Sequence, residues 1–410
     1  MKILHINTND FGGAGIAAIR LHKAMLNKKI DSNFLCLNKT STGTPSCKKI
    51  VPKKAFWLFR LLHRLKFVRY AHEINTESIK EKVGNFEIFS FPLTDYDITS
   101  HPLVKEADII HLHWVANFLD WHSFFKHVNK PIVWTLHDMN PFLGGFHYLD
   151  DRSRNKDVFQ ALEEKYVSIK INALKEFKNM HIVCPSNWIY SESSKSKILS
   201  KYLHYVIPNS VPIDTFKPLD IFKSRALFNL PNDRKIILFV AASLTNPRKG
   251  FELLIKALNS QDRKEYALVI VGQSSLSDFY KVDNIYYLGQ IDDEALLAAA
   301  YSAADIFVIP SIEDNLPNTM IESLACGTPV VCFNIGGMPD AILNGFNGFI
   351  SDKIDSNELY LTIIKALNYN FDRQKICDDA RKRFEQDKQA SRYLDLYCSL
   401  LENRKINQKF

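Results

Sequence analysis

Short apolar stretches alternate with longer amphipathic stretches along the whole chain. Such apolar stretches, separated by segments with helical periodicity, are typical of the strands of parallel α/β sheets. The first half has predicted strands at Met1–Ile6, Ser32–Asn38, Ala107–Trp114, Pro131–Leu136 and Met180–Pro185. The second half repeats the pattern at Lys235–Ala241, Tyr266–Val271, Asn284–Leu288, Asp305–Pro310 and Thr328–Phe333. The pattern predicts an α/β protein with a parallel sheet in each half.

A linker is predicted between the two halves. Tyr205–Pro218 contains three prolines with polar residues between them, a composition that favours a connecting segment over a helix or strand. We therefore predict one domain over residues 1–207 and a second over 208–384.

Length and composition agree with a two-domain protein. The chain has 410 residues and is 46% hydrophobic, enough for a core in each domain. No apolar run is long enough for a transmembrane helix, and the N-terminus is expected to be a strand rather than a signal peptide. The seven cysteines are scattered and include no C-x-x-C pair, which predicts reduced thiols in the cytoplasm.

Positive charge is concentrated in the first half of the chain. Residues 1–207 hold 29 Lys and Arg against 19 Asp and Glu, whereas residues 208–410 hold 23 against 26. The densest part, 48–70, is predicted to be a basic amphipathic helix, which suits an anionic membrane surface. Packing of that helix on its own sheet explains the pattern equally well. Nucleic acid is not expected as a partner, because no nucleic-acid-binding motif accompanies the patch.

The segment Pro310–Cys332 carries the strongest chemical signal. It reads as a strand end, a loop with Asp314, a helix that starts near Asn318 and carries Glu322, and the next strand. A helix N-terminus presents unpaired N–H groups that bind phosphate, and carboxylates accept hydrogen bonds from hydroxyls. These groups match the needs of a nucleotide-sugar. A capped helix after an ordinary βα turn remains the simpler alternative.

The same segment resembles the donor-site signature of glycosyltransferase family 4, in the form D-N-L-P-N-T. Asp314 and Glu322 fill its two acidic positions, although Glu is commoner at the first and Gly is usual where Pro317 stands. The linker likewise resembles the family's interdomain segment. The resemblance implies a GT-B fold, with two Rossmann-like domains facing across a cleft. It also implies that a last helix near Arg383–Leu401 returns to the first domain, so that residues 385–410 pack on it.

The resemblance assigns roles to residues in both halves. Lys249 and Arg248 would neutralise the donor pyrophosphate, Glu322 would hold the ribose, and His137 would lie beside the donor sugar. The implied catalytic residues are His137, Asp314 and Lys249. The implied donor-binding residues are Arg248, Lys249, Asp314, Asn315, Leu316, Asn318, Thr319, Glu322 and Gly13. The implied acceptor-side residues are Gly12, Gly15, His113, Asp138 and His147.

The resulting expectation is a retaining, metal-independent glycosyltransferase without a cofactor. It would move a sugar from a nucleotide-diphosphate donor to a saccharide acceptor. The acceptor is expected to be lipid-linked and to belong to bacterial surface polysaccharide synthesis. The enzyme would act in the cytoplasm or at the inner face of the membrane. His111 and His113 point to one side of a strand, and with His137, Asp138 and His147 nearby they could form a metal site, which is the minority interpretation. A catalytically idle nucleotide-sugar-binding protein and a nucleotide-sugar epimerase remain the alternative functions.

Overall fold

The chain folds into two compact units. The computed structural model describes residues 1–40, 43–50, 57–259, 265–273 and 284–407. Unit 1 comprises Met1–Ile207 and Ala390–Phe410, and unit 2 comprises Pro208–Gln389.

Unit 1 is built on a seven-stranded sheet in which every described pairing is parallel. Its spatial strand order is β3-β2-β1-β4-β5-β6-β7. The strands are β1 (Lys2–Asn9), β2 (Asp31–Asn38), β3 (Cys47–Lys49), β4 (Ile109–Leu112), β5 (Ile132–Thr135), β6 (Met180–Cys184) and β7 (Leu203–Val206). The central strands β4 and β5 are buried throughout because helices cover both faces, and their sequences are apolar except for His111 on β4 and Thr135 on β5.

The helices of unit 1 connect these strands. They are α1 (Gly12–Asn27), α2 (Trp57–Arg64), α3 (Ala71–Ile79), α4 (Pro102–Glu106), α5 (Trp121–His127), α6 (Leu149–Arg154), α7 (Lys156–Leu174) and α8 (Asn187–Ser194). A 3-10 helix spans Asn140–Phe142. The hydroxyl of Ser186 and the carboxylate of Asp120 accept hydrogen bonds from the first turns of α8 and α5, which fixes where these two helices begin.

Unit 2 has a six-stranded sheet of the same kind, again with parallel pairings throughout the described strands. The spatial order is β10-β9-β8-β11-β12-β13. The strands are β8 (Lys235–Ser243), β9 (Tyr266–Gln273), β10 (Ile285–Gly289), β11 (Ile306–Ile309), β12 (Val330–Phe333) and β13 (Gly348–Ser351). The helices are α9 (Ile221–Leu227), α10 (Phe251–Asn259), α11 (Glu294–Ala303), α12 (Asn318–Ala325), α13 (Met338–Ala341), α14 (Ser356–Leu367) and α15 (Arg373–Phe384).

Both sheets reverse their winding direction at one point. In unit 1 the reversal lies between β1 and β4, and in unit 2 it lies between β8 and β11. In open parallel sheets, ligands bind outside the carboxyl ends of the strands at such a switch point. The residues that follow these four strands are therefore where a functional site is expected in each unit.

The last helix, α16 (Gln386–Asn407), joins unit 1 from Ala390 onwards. Tyr393 and Tyr397 are fully buried in a hydrophobic cluster with strand residues such as Ile109 and Val183. The predicted helix start at Arg383 is wrong, because Arg383 and Phe384 end α15 and the chain bends at Glu385 before α16 begins. From the sequence we predict a helix end at Leu401 and a ragged tail over Glu402–Phe410, but α16 continues to Asn407.

The ten predicted strands are all present, with small shifts at their ends. Three further strands, β3, β7 and β13, escape the sequence pattern because they are short and their residues are partly polar or exposed. From its glycines, the segment Phe11–Gly15 is predicted to be a loop, but in the structure α1 begins at Gly12 and takes in Gly12–Gly15 as its first turn. The predicted helix over 48–70 is wrong at its start, because Lys48 and Lys49 belong to β3 and only Trp57–Arg64 is helical in the described residues. Lys53 and Lys54 lie outside the described residues.

Two further properties of the chain bear on its chemistry. Within the part of the chain that the structure describes, no helix is long and apolar enough to span a membrane. Six of the seven cysteines are buried, and Cys398 on α16 is exposed.

Candidate active site

In unit 2, two loops meet at the carboxyl ends of the switch-point strands. After β8 the chain forms a 3-10 helix at Pro247–Lys249, whose start is fixed because the side chain of Asn246 accepts a hydrogen bond from the Arg248 N–H at 3.0 Å. After β11 the backbone N–H of Ile312 donates to the carbonyl of Arg248 at 2.9 Å. This bond places the two basic residues of the first loop directly beside the acidic loop that precedes α12.

Arg248, Lys249 and Asp314 form a cluster of charges, here called the cation–carboxylate cluster. The Lys249 ammonium donates to Asp314 Oδ2 at 2.6 Å, and Arg248 Nη1 lies 3.3 Å from the same oxygen. Arg248 Nη1 also donates to the carbonyl of Glu313 at 2.9 Å. The Asp314 side chain is 9% exposed and the Lys249 side chain 27% exposed, so the carboxylate is buried while the ammonium reaches solvent.

The charge state of the cation–carboxylate cluster follows from these contacts. Burial alone would raise the pKa of Asp314, but the Lys249 and Arg248 cations outweigh that effect. Hydrogen bonds from Lys249 and from the Asn315 N–H add to the same effect, so the pKa lies below its usual value. Asp314 is therefore ionised at neutral pH. Two cations against one carboxylate leave the cluster net positive, which favours an anionic ligand.

Helix α12 begins beside this cluster. Its N-cap position is Pro317, which has no side chain able to accept a bond from the first-turn N–H groups. Asn209, from the linker, donates to the carbonyl of Leu316 and to the side chain of Asn318, both at 3.3 Å. The helix start is thus held from the linker side, and its first turn is left without an N-cap side chain, as anion-binding helix termini require.

The remaining predicted donor-binding residues of unit 2 divide into two groups. Asn315, Asn318 and Thr319 lie at the helix start, whereas the side chain of Leu316 is buried in the hydrophobic core. Leu316 can therefore offer only backbone atoms to a ligand. Glu322 lies on the second turn of α12, is 3% exposed, and accepts a hydrogen bond from the Tyr301 hydroxyl at 3.1 Å.

Two glycines allow the loops around the cation–carboxylate cluster to approach one another. Gly250 follows Lys249 with φ of 69°, and a Cβ there would lie 1.8 Å from the carbonyl oxygen of Pro310. Gly336 has φ of 52°, and a Cβ there would lie 1.8 Å from the carbonyl oxygen of Asp314. A side chain at position 250 would push the loop of Lys249 away from the loop of Asp314, and one at position 336 would push the loop after β12 away from Asp314.

In unit 1, the switch-point strands present histidines instead of charges. His5 on β1, His111 on β4, His113 just after β4 and His137 just after β5 form what is here called the histidine cluster. His5 Nδ1 lies 3.0 Å from His113 Nε2, and His113 Nδ1 lies 3.2 Å from His137 Nε2. The ring of His111 stacks on the ring of His113 with centroids 4.0 Å apart.

The histidine cluster is electrically neutral at neutral pH. Burial, with the mutual repulsion of the rings when charged, lowers the pKa of His5, His111 and His113 well below the usual value. Burial likewise lowers the pKa of His137 to about 4, although the nearby Asp138 carboxylate opposes this shift. Neutral imidazole is also the form that binds metals, so the charge state alone does not distinguish a metal site from a set of hydrogen-bonded rings. The geometry of the cluster distinguishes them.

The geometry of the histidine cluster does not suit a metal ion. His5, His111 and His113 each offer a nitrogen within 4.8 Å of the others. However, a metal lies in the plane of each ring that binds it, and the faces of His111 and His113 are stacked, so their lone pairs run side by side. Both His111 nitrogens are also bonded, to Thr135 Oγ1 at 2.7 Å and to the Tyr397 hydroxyl at 2.5 Å.

Asp138 and His147 form a second polar group beside the histidine cluster. His147 Nδ1 lies 2.6 Å from Asp138 Oδ2, and Trp114 Nε1 donates to the same oxygen at 2.6 Å. Burial raises the pKa of Asp138, but the bonds from His147, Asn140 and Trp114 outweigh it and leave the pKa below its usual value. The far nitrogen of His147 bonds to Ser90 Oγ at 2.8 Å, so Asp138 and His147 are fixed in place.

The loop that carries His147 is held by two buried charges of α7. The Glu163 carboxylate accepts hydrogen bonds from the N–H groups of Gly144, Gly145 and Phe146 at 2.7, 2.8 and 2.9 Å. The Lys170 ammonium donates to the carbonyls of Asn140 and Leu143. Burial lowers the pKa of Lys170 to about 7, while Glu163 and Asp138 act in the opposite direction.

A pocket in unit 1 opens at this group. It is lined by Phe91, His113, Trp114, Val115, Ala116, Trp121, Trp134, His137, Asp138, Asn140 and Pro141. Aromatic walls with a few fixed polar groups are usual for small-molecule sites. Of the predicted acceptor-side residues, His113 and Asp138 line the pocket. His147 does not line it but bonds Asp138. Gly12 and Gly15 lie in the first turn of α1. Gly13, predicted to contact the donor, lies in the same turn and is exposed.

Sequence reasoning missed several residues that shape these sites. His5 lies beside His111 in the register of β1 and β4, and the alternation of β1 could have placed it there. Asn209 could have been suspected from the linker pattern. Glu163, Lys170 and Tyr301 gave no local signal, because each acts on a segment that is distant in sequence.

Comparison with known proteins was made at the level of sequence first. Residues 220–383 match the family of glycosyl transferases group 1. A Klebsiella pneumoniae protein described as an uncharacterised 41.2 kDa protein in the cps region is 25% identical over 309 residues, 72% of this chain and 80% of that protein. The D-inositol 3-phosphate glycosyltransferase of Mycolicibacterium smegmatis is 30% identical over 175 residues, 40% of this chain and 39% of that protein.

Solved structures extend the similarity to the whole chain at the level of fold. Sucrose-phosphate synthase from Thermosynechococcus elongatus superimposes with a TM-score of 0.68 at 18% identity, covering 98% of this chain and 100% of that one. Anabaena HepE in complex with UDP and glucose gives a TM-score of 0.63 at 19% identity, with 97% and 100% covered. The chain thus has two parallel-sheet Rossmann-like domains like those of GT-B proteins, and its residues 220–383 match the glycosyl transferases group 1 family.

Proposed function

We propose that the chain is a retaining glycosyltransferase that uses a nucleotide-diphosphate sugar. The observation that carries the proposal is the position of the cation–carboxylate cluster beside the start of α12, at the switch point of unit 2. A net positive cluster and a helix N-terminus together suit a diphosphate. The group 1 family match covers the same residues, and a structural neighbour binds UDP and glucose.

The donor would be held by groups with distinct roles. Lys249 and Arg248 would contact the pyrophosphate, with the first-turn N–H groups of α12 on its other side. Glu322 would accept hydrogen bonds from the ribose hydroxyls. Asp314 would orient Lys249 and accept a hydrogen bond from a hydroxyl group of the sugar. These roles follow the charges and positions of the side chains, which lie around one end of β8 and β11.

The proposed chemistry relies on stabilising the leaving group. Negative charge grows on the departing diphosphate as the glycosidic bond breaks, and fixed cations next to it lower the barrier. The acceptor hydroxyl would lose its proton to the departing phosphate oxygen, so that attack occurs on the face that the phosphate leaves and the anomeric configuration is retained. Neither a nucleophilic carboxylate nor a metal ion is part of this scheme. Asp314 therefore needs only to bind the donor and does not act as a nucleophile.

Unit 1 would supply the acceptor side. The aromatic pocket that contains Trp114, His137 and Asp138 offers apolar faces for a sugar ring and polar groups for its hydroxyls. A relative is described as a protein of the cps region, which supports a saccharide acceptor in surface polysaccharide synthesis. In this proposal His137 contacts the donor sugar or the reacting hydroxyl.

A lipid-linked acceptor is supported by the surface around α2. Trp57 is 65% exposed, Leu61 45% and Phe67 76%, and Arg60 and Arg64 are exposed on the same helix. Large apolar side chains bordered by arginines suit the interface of an anionic membrane. We therefore place the protein, in this proposal, at the inner face of the cell membrane, with no nucleic acid as partner.

The donor proposal is tested by binding and turnover together. Calorimetric titration with UDP, ADP, GDP and their glucose conjugates should give saturable binding for one base, and donor consumption with product analysis by NMR should give an α-linked product from an α-linked donor. Lys249→Met should weaken binding of the free nucleotide. Binding without transfer to any saccharide acceptor would indicate a nucleotide-sugar-binding protein, and absence of binding to all of these nucleotides would contradict the proposal.

The membrane proposal is tested separately with vesicles. The protein should co-sediment with vesicles that contain phosphatidylglycerol, and less with pure phosphatidylcholine. The variant Arg60→Gln/Arg64→Gln/Trp57→Ser should lose most of the difference, whereas Lys126→Gln/Lys130→Gln, which removes two charges elsewhere in unit 1, should keep it. Equal sedimentation of all three proteins would remove the membrane from the proposal.

A further inference from the structure

Three members of the histidine cluster form a continuous chain of imidazole rings. His5 bonds His113, and His113 bonds His137, with both nitrogens of the central ring used. The ring centroids are 5.3 and 5.5 Å apart and the planes are within 27° and 24° of parallel. Those separations are too long for face-to-face contact but fit nearly coplanar rings joined edge to edge by N–H···N bonds. His5 and His137 are therefore linked through His113.

Neutral imidazoles joined in this way must share one direction. Each neutral ring has one N–H donor and one acceptor nitrogen, so a proton on His5 Nδ1 forces His113 to accept at Nε2 and donate from Nδ1. His137 then accepts at Nε2 and carries its own proton on Nδ1. The opposite direction would put protons on the Nε2 atoms of all three rings. The position of one proton therefore fixes the other two.

The buried end of the chain selects the direction. His5 is fully buried, and its Nε2 has no hydrogen-bond partner among the residues that the structure describes. The neighbouring ring of His22 bonds Ser32 Oγ and the carbonyl of Pro45 with its two nitrogens, and His111 bonds Thr135 and Tyr397. A buried N–H without an acceptor is less tolerable than an acceptor without a donor. His5 Nε2 is therefore the acceptor, and the proton lies on Nδ1.

We propose that His5 and His113 are positioning residues that hold His137 in the tautomer with its proton on Nδ1. The stacked ring of His111 covers the face of His113 and keeps the central ring in the plane of its two bonds. His137 lines the aromatic pocket, so the tautomer decides which of its nitrogens is a donor at the candidate active site. The inference deepens the role that the proposed function gives to His137, but the tautomer exists whether or not the protein transfers sugar.

Long-range 1H–15N correlation spectra of protein labelled with 15N-histidine measure the tautomer directly. The His137 signals are assigned by their loss in His137→Gln. We expect wild-type His137 to have a protonated Nδ1 and an unprotonated Nε2 at pH 7.5. A wild-type His137 protonated on Nε2 overturns the inference without any variant.

Three substitutions of the central ring sharpen the test. His113→Phe removes both bonds, and His113→Gln retains a polar group near the Nε2 position, facing His5; in both, His137 should move to the Nε2-protonated form. His113→Asn places an amide near the Nδ1 position, where it can donate to His137, and should retain the wild-type tautomer. Tryptophan fluorescence checks that each variant is folded. An unchanged His137 tautomer in folded His113→Phe would contradict the proposal, whereas failure to transfer sugar would bear only on the proposed function.

Discussion

The two units repeat one sheet topology but place different chemistry at its switch point. Unit 2 presents the fixed charges of Arg248, Lys249 and Asp314, whereas unit 1 presents the buried neutral histidine cluster. All 13 histidines and all five tryptophans lie within residues 1–207, and unit 2 contains neither residue type. The shared topology therefore sets where a site lies. The residues at the strand ends decide whether the site carries fixed charges, as in unit 2, or neutral imidazoles that can be protonated, as in unit 1.

The difference teaches how each site tolerates burial. In unit 2 the buried carboxylate is compensated by cations, so the site keeps its charges at neutral pH. In unit 1 the imidazoles lose their charge and bond one another instead. The first arrangement suits an anionic ligand, and the second fixes the orientation of polar side chains.

The largest expected difference between the units is their response to acid. Burial lowers the pKa of His5, His111 and His113 below 6.5, so below that pH the unfolded chain binds protons that folded unit 1 does not. The contribution of these three histidines to the stability of unit 1 is therefore fully present above pH 6.5 and should fall by up to about 4 kcal/mol per pH unit as the pH drops below it. His137, whose pKa burial lowers to about 4, adds to the same trend. Urea unfolding at pH 7.0 and 5.5, followed by tryptophan fluorescence, reports on unit 1 alone.

Hydrogen exchange of peptides from unit 2 serves as the internal control for this experiment. Because unit 2 contains no histidine, its protection should change little between the same two pH values once intrinsic exchange rates are corrected. A parallel loss of protection in both units would break the comparison.

The next effect concerns Glu163, the buried carboxylate on α7 of unit 1. Glu163→Gln replaces an oxygen that accepts backbone N–H groups with an amide donor, and should lower the free energy of unfolding of unit 1 by about 3 kcal/mol. Urea unfolding followed by tryptophan fluorescence measures it. Glu164→Gln changes the exposed neighbour on the same helix and should have almost no effect, so equal losses in the two variants would show that the loop contacts do not matter.

The charges of unit 2 should matter for catalysis more than for folding. Lys249→Met removes one cation next to the leaving group and should lower kcat/KM by about 100-fold. Its melting temperature should stay near that of the wild type because Arg248 still pairs with Asp314. Lys256→Met, an exposed lysine on α10, is the matched control, and equal activity of both variants would remove Lys249 from the site.

The smallest effect concerns the contact between α16 and the histidine cluster. Tyr397→Phe removes the hydroxyl that bonds His111 and should lower the free energy of unfolding of unit 1 by about 1 kcal/mol. Tyr190→Phe, at a 40% exposed tyrosine of the same unit, should change it by much less. A stabilised Tyr397→Phe variant would show that the His111 bond does not favour the folded state.

The residues of the cation–carboxylate cluster, though not their contact, could be singled out from sequence because each lies in a local pattern. Lys249 follows a strand by a few residues, and Asp314 and Asn318 lie within one loop and helix start, so each position can be placed without knowing the rest of the fold. The observed start of α12 at Asn318 agrees with the prediction. The direct bond between Lys249 and Asp314, 65 residues apart, could not be predicted, because it depends on how two loops pack.

The histidine cluster could be predicted only in part for the opposite reason. His111 and His113 share one side of a strand, but His5 lies 108 residues before His113 and reaches it through the register of neighbouring strands. Glu163 lies among other charged residues of α7, and nothing near it in sequence marks the three N–H groups that donate hydrogen bonds to it. The break at Glu385 also had no signal, since no glycine or proline marks it.

The glycines at positions 250 and 336 have a consequence for natural and laboratory variation. A single methyl group at either place would collide with a main-chain oxygen of the loop that carries Asp314, so that loop would have to move away from the loop of Lys249 or from the loop after β12. Random mutagenesis followed by selection for activity should therefore recover almost no clone altered at these two codons, even though neither glycine has a side chain with which to touch a substrate.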